Sequence, residues 1–248
     1  MGKLNTNSNA YIITYSAILV VVVAFLLAFI FKALKPMQDA NVALDVKKQI
    51  LYSLNIRNLD GAEAEAKYAE VVKNEGEIDG QKYYACEISG EDVLVVSLKG
   101  MGLWGGISGY VSIHGDEEPV VYGAYFNHES ETAGLGAEIK DSQKWQEKFI
   151  GKKVFADPAD GSEVALAVVK KVEDPETQVD CVTGATLTSN GVNDMIKAGL
   201  KDAGKRYVQL FVTMQCTKDS EGDCCKDSTK VCCNDSTKVC CKDSTANE

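Results

Sequence analysis

The chain has 248 residues, enough to bury the core of one large domain or of two small ones. Acidic residues outnumber basic ones by 36 to 26, and the formal net charge is −10. Binding to nucleic acid is excluded, because no run of Lys and Arg is present to neutralise phosphates.

The first predicted element is a membrane-spanning helix at residues 10–31. This stretch contains no charged residue, and its few polar side chains lie close to its start. As a helix it extends over roughly 33 Å, which is enough to cross the hydrocarbon core of a bilayer. A cleaved signal peptide would be shorter and would end in a small-x-small site, whereas this run ends in "FKALKP". We therefore predict a single uncleaved anchor, preceded by a short segment at residues 1–9.

The charges that flank the anchor give only a weak indication of its orientation. Lys32 and Lys35 follow the helix and Lys3 precedes it, so a simple count places the large domain in the cytoplasm. Long domains weaken that rule, and three lysines carry little weight. The residues themselves leave the orientation open.

An α+β domain is predicted after the anchor. Residues 32–80 have the composition and apolar spacing of a helical segment next to the membrane. From residue 81 onward, short β-branched and aromatic runs alternate with Gly, Asp and Pro, which predicts a mainly antiparallel sheet with flanking helices. The runs lie at residues 93–100, 110–115, 119–126, 153–158 and 164–170.

Two helices are predicted within this domain. The segment "DSQKWQEKFIG" places Trp145, Phe149 and Ile150 on one helical face, and we expect the first two in the core. The second helix is predicted to begin near Ser189 or Asn190, either of which can cap it. Its repeating apolar face consists of Val192, Met195, Ile196, Leu200 and Ala203.

The last part of the chain, residues 216–248, is repetitive. Cys-Cys pairs recur with an eight-residue period among Lys, Asp, Ser and Thr, and apolar residues are nearly absent. We predict a disordered extension here, which leaves residues 81–215 for the domain. Disulfides or a soft-metal site remain open, although adjacent cysteine pairs fit the ligand spacing of zinc sites poorly, and no metal site is predicted.

The stretch "DCVTGATLTSNG" at residues 180–191 contains almost only small and hydroxyl-bearing side chains. Because a helix follows, free N–H groups and the positive helix end favour an anion there. Small side chains also let a large planar ligand approach the backbone. The lysine and the spacing of a P-loop are missing. Two interpretations stay open: Thr183 or Thr186 is a modified residue, or the stretch is an ordinary turn into a helix.

The motif Asp-x-x-Thr-Gly-Ala-Thr at residues 180–186 resembles the recognition motif of periplasmic flavin transferases, which move FMN from FAD onto the last Ser or Thr. Two further blocks, "KGMGLWGGISGYVSI" and "HESETAGLGAEIKDSQKWQEKFIGKK", resemble the FMN-binding domain of one family. That family is the C subunit of the Na+-translocating NADH:quinone oxidoreductases. The anchor and the helical residues 44–51 are similar to it as well, so the resemblance covers residues 11–210.

The resemblance implies which residues hold the cofactor. Thr186 would carry FMN through a phosphoester to its Oγ, and Thr188 and Ser189 would hold the phosphate through N–H and hydroxyl groups. Leu135 would cover one face of the flavin ring, and Trp104 would line the far side. The other implied contacts are Thr183, Gly184, Ala185, Glu131, Thr132, Gly134 and Gly136.

The resemblance further implies an electron-transfer subunit with no catalytic site of its own. Electrons from NADH would reach this FMN through iron–sulfur centres of partner subunits and pass through other flavins toward a quinone such as ubiquinone. Sodium export would be a property of the whole translocase. Because the flavin transferases act outside the cytoplasmic membrane, the domain would be periplasmic on a single-pass inner-membrane protein, against the lysine count.

The sequence leaves alternatives to this interpretation. The flavin subunit of an Rnf-type ferredoxin:NAD oxidoreductase shares the motif and the anchor, whereas residues 61–81 suit the longer quinone-reductase subunit. A membrane-tethered protein could instead bind metal or thiol partners through the Cys-Cys pairs. A hydrolase would use Thr186 or Ser189 with His114 or His128, although no nucleophile–base–orienter pattern is present.

Overall fold

The computed structural model describes residues 8–78, 80–115, 118–157 and 163–201. The predictions for residues 1–7 and 202–248 lie outside the described residues, and these include Ala203 and the Cys-Cys pairs.

The longest element is helix α1, Asn9–Ser53. It begins after Ser8, whose hydroxyl oxygen accepts a hydrogen bond from the Tyr11 N–H at 3.2 Å. The predicted anchor at residues 10–31 lies within this helix, which continues through Pro36. Its side chains are exposed up to residue 43, and among the helices of the described residues only α1 is long and apolar enough to cross a membrane. The helix therefore fits a single-pass membrane anchor.

A five-stranded antiparallel sheet forms the centre of the domain, and consecutive strands pair with each other. Its strands are β1 Val72–Ile78, β2 Gln81–Ile88, β3 Glu91–Met101, β4 Gly106–His114 and β5 Val120–His128. Ser89 and Gly90 join β2 to β3 with positive φ angles of 55° and 85°, the backbone that closes a tight hairpin. Two short strands, β6 Ala167–Val169 and β7 Gln178–Asp180, form a separate parallel pair.

The remaining helices are α2 Gly61–Val71, α3 Glu138–Asp141, α4 Gln143–Glu147 and α5 Thr186–Leu200. The predicted α+β class, with one apolar N-terminal helix and a mainly antiparallel sheet, is confirmed. The first three predicted runs largely coincide with β3, β4 and β5, and the last one contains β6. In the run that begins at Lys153, the described residues 153–157 form isolated bridges, from Lys153 to Val120 and from Phe155 to Val164, and no regular strand.

The N-terminal edge of the sheet differs from the sequence-based expectation. The sequence predicts a helical segment up to residue 80, but α2 ends at Val71 and residues 72–78 form strand β1. The charged side chains of this stretch favour a helix locally. Pairing with β2 satisfies the backbone along one side, and exposed charges are typical of an edge strand. Tertiary pairing therefore overrides local composition here.

Helices cover both faces of the sheet. On one face, Ile50 and Leu54 at the end of α1 pack with Val93 and Val95 of β3, and all four side chains are at most 1% exposed. On the other face, α5 lies so close to β3 that a Cβ at Gly100 would collide with Met195. The expected apolar face of α5 is confirmed for its described members, which are all buried: Val192, Met195, Ile196 and Leu200.

The segment after β5 contributes an aromatic cluster to the core. The rings of Trp145 and Phe149 contact Phe126, with centroid distances of 5.7 and 5.2 Å, and both residues are buried as expected. Ile150 is exposed instead, because the chain beyond α4 continues as turns up to Gly151 and does not complete the predicted helical face.

Polar contacts join the end of α1 to the sheet. The Ser112 hydroxyl lies 2.5 Å from the Ser53 carbonyl oxygen and 2.8 Å from that of Gly123, and its single proton is donated to one of them at a time. The Asn55 side-chain amide donates to the Tyr122 carbonyl oxygen at 2.8 Å. The anchor helix thus enters the domain core directly, without a flexible linker.

Replacing Ile50 by alanine should lower the free energy of unfolding of the domain by roughly 2–4 kcal/mol, since it removes a fully buried side chain and leaves a cavity. Val42→Ala, on the exposed part of the same helix, is the matched control and should change it by less than about 0.5 kcal/mol. Denaturant unfolding of the full chain in detergent measures both. Equal stability of the two variants would show that the end of α1 does not belong to the core.

Candidate functional site

Strands β3 and β5 both run antiparallel to β4, which lies between them, so their C-terminal ends lie side by side at the same end of the sheet. The loop 102–105 follows β3, and its turn is closed by a hydrogen bond from the Gly102 N–H to the Gly105 carbonyl at 2.8 Å. The loop 129–137 follows β5 and begins with a bond from the Glu129 N–H to the Gly106 carbonyl at 3.0 Å. The strand order therefore brings these two loops together.

The side chain of Glu131 connects the two loops to the start of α5. One carboxylate oxygen, Oε1, accepts a hydrogen bond from the Trp104 N–H at 2.8 Å. The other, Oε2, accepts one from the Thr188 hydroxyl at 2.6 Å. Glu131 and Thr188 are 8% and 1% exposed, so this contact lies beneath the surface of the site. Three segments that are distant in sequence thus meet at one carboxylate.

The pKa of Glu131 is lowered from its ordinary value of 4.5. Burial acts in the opposite direction and is the largest single influence, because it raises the pKa by disfavouring the charged form. Hydrogen bonds from the Thr188 hydroxyl and from the N–H groups of Trp104, Gly105 and Leu103 together outweigh it. Glu131 is therefore ionised at neutral pH, with its charge stabilised by donors.

Glycines make the space for this carboxylate. A Cβ at Gly102 would collide with the Glu131 Oε1 atom, and a Cβ at Gly136 would collide with Oε2 and with the Thr188 hydroxyl. Gly134, in the same loop, has a φ of +73°, a conformation that favours glycine. The glycine-rich pattern of both loops thus has a packing reason, which the sequence alone did not show.

Helix α5 begins at Thr186, three residues before the predicted cap. Its N-cap residue is Ala185, which offers no side-chain hydrogen bond, so the expectation of Ser189 or Asn190 as the cap is wrong. Ser189 is instead buried in the first turn, where its Oγ accepts a hydrogen bond from the Val182 N–H at 3.0 Å. The motif loop folds back onto α5, the helix that follows it. With this contact, α5 begins closer to the N-terminus than the sequence predicts.

The start of α5 presents free donors and an exposed hydroxyl group. Thr186, Leu187 and Thr188 are its first three residues, and N–H groups at these positions have no acceptor within a helix. Thr186 and Thr183 are exposed, whereas Ala185 is buried. The N-terminal end of α5 is thus accessible to an anion, which the positive pole of the helix favours.

Exposed apolar side chains lie on the helix start and on the two loops that Glu131 links to it. Trp104 is 68% exposed, Leu135 44% and Leu187 61%. Leu135 reaches the motif loop, since a Cβ at Gly184, whose φ is +79°, would lie 2.9 Å from its Cδ2 atom. Leu187 was not among the residues implied by the sequence, and only its position beside Thr186 on the first turn of α5 identifies it. Leu135 and Leu187 thus offer exposed apolar side chains at the motif, and Trp104 offers another on the loop that Glu131 links to α5.

The residues named from the sequence fall into an exposed and a buried group. The exposed ones can reach a ligand directly and include Trp104, Thr132, Gly134, Leu135, Thr183, Gly184 and Thr186. The buried ones are Glu131, Gly136, Ala185, Thr188 and Ser189. The Thr188 hydroxyl donates to Glu131, and the Ser189 hydroxyl oxygen accepts from the Val182 N–H. A phosphate would therefore contact the backbone N–H groups of this turn in preference to these two hydroxyl groups.

The two histidines have structural contacts. The His128 Nδ1 atom accepts a hydrogen bond from the Glu131 N–H at 3.2 Å and so fixes the beginning of the loop. His114 lies at the opposite end of β4 from the site, against Tyr122 and 3.8 Å from the Glu91 carboxylate. Neither histidine is hydrogen-bonded to Thr186 or Ser189.

The first residue of the motif is held on the domain surface. The Asp180 carboxylate forms an ion pair with Lys148, with Nζ to oxygen distances of 2.8 and 2.9 Å. The Trp145 indole N–H donates to the Asp180 carbonyl oxygen at 2.8 Å. Both ends of the motif are therefore ordered and accessible at the same time.

These features define the class of the protein: an α+β domain that follows a helix fit to be a membrane anchor and that presents an accessible helix start beside exposed apolar side chains. Residues 102–201 match the family of FMN-binding domains. This range contains both loops and the start of α5. The chain therefore contains an FMN-binding domain.

Relatives of known name identify the family more closely. A crystal structure of the C subunit of the Na(+)-translocating NADH-quinone reductase from Parabacteroides distasonis is 33% identical, with a TM-score of 0.61, over 68% of this chain and 94% of that one. The same subunit from Haemophilus ducreyi is 29% identical over 79% of this chain and 91% of its own. That of Pseudomonas aeruginosa is 34% identical over 46% of this chain, and the match spans only 44% of that relative. The chain belongs to this family, the C subunits of the Na(+)-translocating NADH-quinone reductases.

Glu131→Gln should lower the free energy of unfolding at neutral pH, and the difference from the unmodified chain should shrink as the pH falls below 4.5. A carboxylate whose pKa is lowered on folding contributes stability above its ordinary pKa and loses it as the pH falls through the folded value. Denaturant unfolding from about pH 7 to about pH 3 measures this difference. Glu129→Gln, at an exposed carboxylate of the same loop, is the control. A difference for Glu131→Gln that does not change with pH would contradict the assignment.

Proposed function

We propose that this chain is the subunit that carries FMN in a Na+-translocating NADH:quinone reductase, with the FMN attached by a phosphoester to the Thr186 Oγ. The observation that carries this proposal is the exposed Thr186 hydroxyl at the first residue of α5, after an N-cap that offers no side-chain acceptor. A phosphate on this oxygen lies next to the N–H groups of the first helical turn.

The attachment uses FAD as the donor of FMN. The Thr186 Oγ forms a bond to the phosphorus of the FMN half, and the pyrophosphate bond of FAD breaks. AMP leaves, and the hydroxyl proton of Thr186 is released with it. The sequence from Asp180 to Thr186, whose ends are both exposed or half-exposed, is the segment that a periplasmic flavin transferase recognises.

The open surface gives a physical reason for a covalent bond. Sites that hold small molecules without a covalent bond usually bury roughly 70–90% of the ligand surface. Here the apolar contacts, Trp104, Leu135 and Leu187, are themselves mostly exposed or nearly half exposed. A phosphoester to Thr186 retains the cofactor while its ring stays accessible to a partner.

The role of the chain is to place and orient the cofactor. FMN accepts and donates one or two electrons, and the protein sets its surroundings. Electrons from NADH arrive through iron–sulfur centres of partner subunits and leave through other flavins toward quinone. The chain supplies no acid–base group to this transfer, and sodium transport belongs to the complex as a whole.

The FMN-binding domain lies on the periplasmic side of the cytoplasmic membrane in this proposal, because the flavin transferases act there. Helix α1 is the single-pass anchor. Lys32 and Lys35 lie on the exposed part of α1 just beyond the apolar run, and two lysines oppose this orientation only weakly.

The intact mass of the purified full chain tests the covalent attachment. Co-expression with a flavin transferase should add the mass of one FMN minus one water, and Thr186→Ala should abolish this gain. Thr186→Ser is the matched control, since it keeps a hydroxyl group at the same position and should keep the gain. A bare polypeptide mass for the unmodified chain, without flavin fluorescence in a denaturing gel, would refute the proposal.

Protease treatment of intact spheroplasts tests the orientation. A protease added from outside should remove the domain and leave the anchor in the membrane, while a cytoplasmic protein remains intact as the control. Digestion of the domain only after lysis would place it in the cytoplasm and contradict attachment by a periplasmic enzyme.

A further inference from the structure

The loop 102–105 turns around a carboxylate of the chain itself. The Trp104 N–H donates to the Glu131 Oε1 atom at 2.8 Å, and the backbone N–H groups of Gly105 and Leu103 also help to lower the pKa of this carboxylate. Successive N–H groups that point into one concavity are a common way to bind a phosphate or carboxylate. Among the described residues, none of the ion pairs involves Glu131, so its charge is met by hydrogen-bond donors.

The same carboxylate also binds helix α5. The Thr188 hydroxyl donates to Oε2 at 2.6 Å, and Thr188 lies in the first turn of α5, two residues after Thr186. Glu131 therefore links the position of Thr186 to that of the loop 102–105. The absent side chains of Gly102 and Gly136 leave room for the two oxygen atoms and little else.

We propose that Glu131 is a positioning residue, an internal anion that organises the loop of Trp104 and ties it to α5 without contacting the flavin itself. This inference rests on the proposed function, since it explains how the apolar loop and Thr186 are held ready for FMN. It differs from the role that the resemblance implies, which places Glu131 among the cofactor contacts. Both oxygens face protein donors and are buried, so they do not face a ligand on the exposed surface.

Glutamine keeps the shape of this side chain but removes its charge. Its oxygen can still accept from the Trp104 N–H, and its NH2 group can donate to the Thr188 hydroxyl oxygen, so both contacts become neutral hydrogen bonds. Hydrogen bonds to an ionised group are roughly twice as strong as neutral ones. Glu131→Gln should therefore loosen the loop, whereas a role based on size alone would be preserved.

Amide hydrogen–deuterium exchange of the flavin-free full chain in detergent tests whether Glu131 holds the loop 102–105. Exchange of peptides that contain residues 103–105 should become about tenfold faster in Glu131→Gln and in Glu131→Ala, because charge-assisted hydrogen bonds are lost. Peptides of β3 should exchange at the unmodified rate. Glu129→Ala, an exposed carboxylate of the same loop, should leave all of these rates unchanged.

Chemical rescue separates an anion site from a general loss of packing. Sodium formate should restore slow exchange at residues 103–105 in Glu131→Ala, where the shortened side chain leaves space for an anion between the Trp104 N–H and the Thr188 hydroxyl. It should not do so in Glu131→Gln, where the amide occupies that space. Unchanged exchange in both variants, faster exchange throughout the sheet in both, or no rescue by formate in Glu131→Ala would each overturn the proposal.

The rate of FMN attachment tests whether the positioning role of Glu131 affects the site at Thr186. With a flavin transferase and FAD, Glu131→Gln should gain FMN about tenfold more slowly than the unmodified chain, and Glu129→Ala should gain it at the normal rate. If the unmodified chain gains no FMN, the proposed function fails while the exchange result still stands. If it gains FMN and Glu131→Gln does so equally fast, the positioning role fails while the function stands.

Discussion

The arrangement of the site depends on one buried carboxylate. Glu131 is the only point at which the loop after β3, the loop after β5 and the first turn of α5 are seen to share a hydrogen-bond partner among the described residues. Removing a charge from water is costly unless donors replace its hydration. Here a hydroxyl and backbone N–H groups do so, which makes the ionised form the stable one. The three segments therefore hold one another in place through Glu131.

The sheet joins this site to the membrane anchor. The end of α1 packs on one face of β3, and α5, which begins with Thr186, packs on the other face. Because α1 enters the core without a linker, the site is connected to the anchor through packed side chains. In the proposed function this keeps the FMN near a constant position above the membrane, where electron transfer between subunits depends on distance.

The exposed character of the site is consistent with the covalent bond of the proposed function. Trp104, Leu135 and Leu187 offer apolar contact from side chains that are themselves largely exposed. In the proposed function, a cofactor held in this way remains available to a partner protein on its open side, and the bond to Thr186 prevents its loss. Such an arrangement suits a carrier that exchanges electrons with other proteins and needs no pocket for a small substrate.

The anchor, the central strands and the apolar face of α5 could be predicted from the sequence, because each depends on a local pattern of side chains: an uninterrupted apolar run, alternation, or helical spacing. Three other features emerge only in the folded chain: residues 72–78 are a strand, α5 begins at Thr186, and Glu131 is turned inward. These outcomes depend on partners far away in the chain, which are strand β2, the folded-back motif loop, and Thr188 with the loop of Trp104. Local composition contains no information about such partners, so the buried contacts of Glu131, Thr188 and Ser189 could not be predicted from the sequence.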